Sequence, residues 1–387
     1  MDTRFHLPGW VRQSPFDRTR RCGWSGAPAA GRRGFAVRAL EAGQRPSQAG
    51  VETHRDKLRL VQEPVAQQTA REGRQTVRKL AFFATIVIAL TAAGAVEARP
   101  GDRLRERIAA RLAAADNDAP AAPAPTVIAY GQDPLQKLDF WPARQPSDPT
   151  TKPAPLIVFV HGGGWKRGDK DNATGKWKAA HFPQEGYAFA SIDYRLVPAA
   201  SVEQQASDIA HALKALLDRA SSLGIDRNRV VLMGHSAGAQ LVALVGTDER
   251  YLRGAGLSFR DVAGVVPIDG AAYDVPAQMK DGPGIMQKTY IQAFGADPAR
   301  QRALSPALQA GAPNAPRFLL LHVQRPDGVR QADEFAKALR AAGTRVETGS
   351  YPGEGLQGHA EINRRLGDPS YPATADTDRW LATTFKR

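Results

Sequence analysis

The chain has 387 residues, with 52 Lys and Arg against 39 Asp and Glu, and 42% of it is hydrophobic. That composition excludes a collagen, a disulfide-stapled mini-protein, a polytopic membrane protein and a wholly disordered chain. The formal charge of +13 would suit a nucleic-acid or anionic-surface partner if it were spread over a folded domain. It is not: residues 1–79 carry 16 basic and 7 acidic side chains, so the remaining 308 residues are close to neutral. No nucleic-acid partner is expected, because the folded part has no aromatic-plus-basic motif.

Residues 1–76 read as a disordered basic leader, rich in Arg, Gly, Pro and Gln. The only cysteine, Cys22, lies there, so no internal disulfide, zinc–thiolate site or thiol nucleophile is available to the main domain. Residues 77–98 have the order of a secretory signal. Arg78 and Lys79 precede 17 uncharged residues, 80–96, and Val96 and Ala98 fit a cleavage site before Arg99. The expected location is periplasmic or secreted, with a membrane contact only if 80–96 stays as an uncleaved anchor; a full span needs about 20 apolar residues. Such a signal should open a chain, so the expected biological start is near Val77, with 1–76 from an over-extended reading frame. Residues 99–126 read as an Ala/Pro-rich linker.

From residue 127 to 387 short apolar runs alternate with helical patterns. The runs are Leu156–Val160, Tyr187–Ile192, Val230–Met233, Val262–Ile268, Phe318–Val323 and a last strand, Val346–Tyr351. The Val, Ile and Phe content of the first five predicts strands buried on both faces, as in a parallel sheet. Ile209, Leu213, Leu216, Leu217 and Ala220 fall on one helix face, and Phe335, Leu339 and Ala342 on another. The fold class is therefore α/β, a doubly wound sheet, with its site expected at the carboxyl ends of the strands.

Two motifs carry chemistry. Gly234–Gly238, GHSAG, stands between a strand and an apolar helix. A serine in so tight a turn holds its oxygen free above the sheet, and flanking glycines remove Cβ atoms that would collide. A plain glycine-rich turn is the alternative, and the strand before and helix after argue against it. His161–Trp165, HGGGW, follows another strand, and its glycines let backbone N–H groups face a site. With the N–H of Ala237 these could receive an oxyanion. A phosphate loop is disfavoured, since no Lys-Ser/Thr follows.

HGGGW together with GHSAG resembles the α/β-hydrolase superfamily. More narrowly, it is similar to the esterase/lipase group of hormone-sensitive-lipase-like, feruloyl-esterase-like and arylformamidase-like enzymes, over about Val127 to Lys386. The resemblance implies a serine nucleophile, Ser236, followed in the chain by an acid and a histidine. It also implies an oxyanion hole from Gly163, Gly164 and Ala237. Of the two later histidines, His322 lies inside a strand run, whereas His359 lies in a glycine-rich loop that can reach the serine. His359 is the expected base. Asp327 matches the family position for the acid, although Val323-Gln-Arg-Pro intervenes where the family has a shorter turn. Asp269, at the end of the 262–268 run, is the other candidate.

Residues 270–312 occupy the place of a small helical cap, where Met279, Ile285, Met286, Tyr290, Ile291 and Phe294 would line an acyl pocket or form the cap's own core. Trp165 and His235 are the candidate substrate contacts. Tyr194 and Arg195 read as structural. The expected function is cleavage of a small-molecule carboxylic ester through an acyl-enzyme, with no metal and no cofactor. An arylformamidase-like amidase, a peptidase and a non-catalytic hydrolase-fold binding protein are the alternatives.

Overall fold

The structure, a computed structural model, describes residues 119–144, 152–171 and 174–386. The leader, the 77–98 segment and most of the 99–126 linker lie outside these. All described residues fall in the unit that starts at Glu97.

Eight strands form one sheet: β1 (Thr126–Ala129), β2 (Lys137–Trp141), β3 (Ala154–Val160), β4 (Ala188–Ile192), β5 (Ile225–His235), β6 (Gly264–Ile268), β7 (Arg317–Gln324) and β8 (Arg345–Glu354). Their order is β1-β2-β4-β3-β5-β6-β7-β8. The β1–β2 and β2–β4 pairs are antiparallel, and every later pair is parallel. Each expected strand run is present. β5 extends beyond Val230–Met233 at both ends, and β6 starts two residues later than expected.

The parallel strands are apolar on both faces because helices cover both. Along β3, Leu156, Val158 and Val160 join one core cluster, and Ile157 and Phe159 join the other. On β5, Val230 and Leu232 divide from Val231 and Met233 in the same way. That alternation follows from the two-residue repeat of a strand, and each fully buried side chain of this size contributes about 1.5–3 kcal/mol.

The longer helices are α1 (Lys176–Gln184), α2 (Val202–Asp218), α3 (Ala237–Thr247), α4 (Val275–Asp281), α5 (Gln287–Phe294), α6 (Pro326–Ala341), α7 (Gly355–Arg365) and α8 (Pro372–Phe385). Ser201 and Gln204 make a capping box that starts α2. Ile209, Leu213, Leu216 and Leu217 form its buried face. Ala220 lies past the end of that helix, in a separate short turn of helix. The 270–312 segment between β6 and β7 forms α4, α5 and several shorter helical turns. Among the described residues no helix is long and apolar enough to cross a membrane.

Candidate active site

The parallel strands end at a common edge. Val160 on β3 is in register with Gly234 on β5, His235 with Ile268 on β6, and Ile268 with Leu321 on β7. The residue just past each of those ends therefore belongs to the same neighbourhood.

At the end of β5 the chain turns through Ser236, whose φ of 56° is in the left-handed region that a side chain rarely adopts. Its N–H donates to the Ile268 carbonyl at 3.0 Å, and its carbonyl accepts from Ala239 N at 3.1 Å and starts α3. The flanking glycines are needed sterically. A Cβ on Gly238 would lie 2.1 Å from the Val160 carbonyl oxygen, and one on Gly234 would lie 2.4 Å from that of Gly238. Ala237, the first residue of α3, has an N–H without an intrahelical partner.

His359 lies in α7, not in the expected loop. Its Nε2 is 2.9 Å from Ser236 Oγ, and its Nδ1 is 2.5 Å from Asp269 Oδ2. A carboxylate only accepts, so Nδ1 carries the proton and Nε2 is left to accept from the serine hydroxyl. Asp269 follows β6 directly, has a φ of 41° and is fully buried. Its backbone N–H donates to the Leu321 carbonyl, and its Oδ1 accepts from Val323 N at 3.2 Å. Burial pushes this carboxyl up, but His359, Arg325 and the Val323 N–H outweigh that and hold it down at about 2.

The carboxylate beside the histidine is therefore Asp269, and the expectation of Asp327 is corrected. Asp327 starts α6, where its oxygens accept from Gln278 Nε2 at 3.0 Å and from the Arg325 guanidinium at 3.3–3.4 Å. The turn after β7 spends its reach on Arg325, and the acid comes from the strand one place nearer the serine.

A cavity of about 360 Å³ opens over Ser236. Gly164, Trp165 and Ala237 are among its lining residues, as are Ile285, Met286, Tyr290 and Leu356, and Arg325 and Asp327 also face it. Gly163, next in the same loop, is not among the lining residues; a Cβ there would meet the Arg167 carbonyl oxygen at 2.0 Å. Trp165 both faces the cavity and packs. Its Nε1 donates to Gln240 Oε1, and Phe294 meets its ring edge-on at 4.7 Å. Of the other apolar candidates, Phe294 is buried behind Trp165, Met279 packs against the core and Ile291 is exposed. A larger hollow of about 540 Å³, lined by 119–125, Asp139 and Lys170, contains none of the candidate residues, so size does not locate the chemistry here.

His235 is not a cavity contact, which corrects its expected role. It is buried, its ring lies 4.5 Å from that of His359, and its Nε2 donates to the His359 carbonyl at 2.9 Å. Burial, and the imidazole of His359 beside it, hold it well below the ordinary histidine range. His161 is likewise kept neutral, down at about 4, by burial. Its Nδ1 donates to the Gly162 carbonyl, and its ring stacks on Tyr194, whose hydroxyl donates to the His161 carbonyl at 2.9 Å. Arg195 forks onto Asp208, as a structural residue would. His322 is buried in β7.

Residues 145–264 match the BD-FAE family. Esterase LipC of Mycobacterium tuberculosis is 31% identical over 240 residues, covering 59% of this chain and 58% of LipC. An isoprenylcysteine alpha-carbonyl methylesterase of Arabidopsis thaliana is 31% identical over 134 residues, covering 34% of this chain and 30% of the relative. The chain thus spans less than two thirds of the length of either. Among solved structures, esterase B of Lactobacillus rhamnosis superposes with a TM-score of 0.56 at 23% identity, over 73% of this chain and 92% of that one. The chain has the α/β-hydrolase fold.

Within that fold the structure brings Ser236 and His359 together with Gly164 of the glycine loop beside them, and it adds two side chains that the sequence reading does not single out, Arg325 and Gln278. Arg325, Gln278 and Tyr290 form one hydrogen-bonded group at the cavity with Asp327. An arginine two residues before the candidate acid is the only local signal for Arg325 and Gln278. Among the described residues no cluster of His, Cys, Asp and Glu could hold a metal ion.

Proposed function

We propose that this α/β-hydrolase-fold chain is a carboxylic ester hydrolase working through an acyl-enzyme on Ser236. The observation that carries the reading is the unbroken row Ser236 Oγ, His359 Nε2, His359 Nδ1, Asp269 Oδ2. In this reading Ser236 Oγ attacks the ester carbonyl carbon while His359 Nε2 takes its proton. Asp269 keeps the proton of the ring on Nδ1 and stabilises the imidazolium. The backbone N–H groups of Gly163, Gly164 and Ala237 receive the oxyanion, each worth about 3 kcal/mol of barrier. The protonated ring then delivers its proton to the alkoxide as the C–O bond breaks. Water, deprotonated by the same nitrogen, attacks the acyl carbonyl and releases the carboxylic acid, restoring the serine. Esterase relatives and the apolar cavity over the nucleophile support an uncharged ester as the substrate class.

The test is hydrolysis of short p-nitrophenyl esters by the wild type and by Ser236→Ala, with circular dichroism to show that the variant folds. The expected result is turnover that the substitution abolishes; retained turnover overturns the mechanism. Parallel assays on an aryl formamide and a dipeptide amide separate the ester reading from the two amide-cleaving ones. We also propose that residues 77–98 export the chain, for which the mass of the natural N-terminus is the check: a product that begins at Arg99 is expected.

A further inference from the structure

Asp269 is held by more than the histidine. Arg325, the last residue before α6, is 9% exposed and lines the cavity beside Asp269. Its Nε donates to Asp269 Oδ2 at 2.9 Å, so that oxygen is shared between the guanidinium and the His359 ring. Its Nη2 donates to the carbonyls of Asp269 and Gly270 at 3.3 and 3.4 Å, gripping the backbone of the same turn. Its Nη1 donates to both oxygens of Asp327. Asp327 in turn accepts from Gln278 Nε2 on α4, which also reaches the Tyr290 hydroxyl on α5 in the cavity wall. The space for the guanidinium is built in, since a Cβ on Gly328 would lie 2.9 Å from Arg325 Nη2.

We propose that Arg325 is a positioning residue: a clamp that fixes the Asp269 carboxylate for His359 and, through Asp327 and Gln278, ties it to the helices that wall the cavity. This rests on the ester-hydrolase reading of the site. Three features point to a clamp, not to a general structural ion pair. The fork engages the side chain and the backbone of one residue together. That residue sits in a left-handed turn, at φ 41°, that a non-glycine side chain does not hold cheaply. The second carboxylate, Asp327, pairs with the side of the guanidinium turned away from Asp269, so the arginine is itself held from behind. A lysine could keep the charge but not the fork.

A positioning defect acts on the chemical step and not on ground-state binding, so it separates kcat from KM. With Arg325→Ala, kcat for a short ester is expected to fall about 100-fold with KM within about threefold of the wild type, since a displacement of about 1 Å at a catalytic group has that effect. Dilute guanidinium chloride is expected to restore at least about fivefold of the loss by refilling the vacated space, with sodium chloride as the control without effect. A kcat within about threefold of the wild type, or a loss that guanidinium does not restore, overturns the clamp. If circular dichroism shows that Arg325→Ala does not fold, Arg325→Lys decides: a kcat lowered about tenfold at unchanged KM supports the fork, and wild-type kcat overturns it. Wild-type turnover that Ser236→Ala abolishes is measured first. Failure at that step is failure of the ester-hydrolase reading, whereas failure at Arg325 with that turnover intact is failure of the clamp alone.

Discussion

Two carboxylates lie within reach of one guanidinium, and only one of them touches the imidazole. Asp269→Asn is therefore expected to lower kcat by about 10³–10⁴, because an amide in that place no longer fixes the ring tautomer. Asp327→Asn, at a carboxylate that accepts from Arg325 and Gln278 and not from the imidazole, is expected to cost about tenfold or less. Comparable losses from the two substitutions, measured on one ester, would contradict the assignment. The same carboxyl has a pH signature. Asp269 is held at about 2 in the fold, below its ordinary 3.8. Between those values the unfolded chain binds the extra proton, so stability from this group is full above about pH 4 and drains as pH falls towards 2. Urea midpoints measured across that window should fall in the wild type and fall less in Asp269→Asn. Sequence reading chose Asp327 for its place in the family order, and the reason it failed is physical. Which carboxylate meets the histidine depends on the left-handed turn at Asp269 and on an arginine that occupies the other acid, and neither shows in a local pattern of residue types.

Elements were legible in proportion to how much of their signal is burial. The parallel strands announce themselves because both faces are covered, so their sequences are continuously apolar. The helix that carries His359 did not. GEGLQGH reads as a loop by composition, yet residues from Gly355 are helical, with Ile362 buried on the inner side. Packing overrode weak propensity there. The elbow shows the opposite case, where a local rule is strict because three backbones meet. Gly238→Ala would place a methyl 2.1 Å from the Val160 carbonyl oxygen, and backbone on neither side can yield without moving β3 or α3. The expected result is a loss of about 1–3 kcal/mol in urea unfolding together with loss of ester turnover, since the same shift displaces Ser236. A stable and fully active variant would mean that the approach of α3 to β3 is looser than described.

Over the described molecule, the sheet gathers residues that are far apart in sequence, and the segment between β6 and β7 decides what can reach them. Val160 is matched to Gly234, His235 to Ile268 and Ile268 to Leu321, so strand order brings the serine, the glycine loop and Asp269 to one edge, and the turn at Asp269 then decides that its carboxylate meets the imidazole. Sequence alternation makes the strands, the serine and the glycine loop readable, but not which carboxylate joins them. The cavity wall was readable only as a list of apolar candidates, because which of them face inward is set by how short helices pack, not by a period. Met286 lies beside the glycine loop: a Cβ on Gly164 would lie 3.9 Å from Met286 Cε, with only Thr289 Cγ2 nearer, at 3.0 Å. It shares the cavity with Tyr290 and Leu356. A bulkier side chain there should shorten the space for the acyl or alcohol group without touching the serine, the imidazole or Asp269. Met286→Trp is accordingly expected to leave kcat/KM for an acetyl ester within about threefold, and to lower it for an octanoyl ester by about tenfold or more, since each methylene refused by an apolar wall is worth about 1 kcal/mol or more. A p-nitrophenyl ester series from acetyl to octanoyl measures the difference. A uniform fall across the series would instead mean that Met286 supports the glycine loop from behind and that the chain-length limit lies at another wall of the cavity.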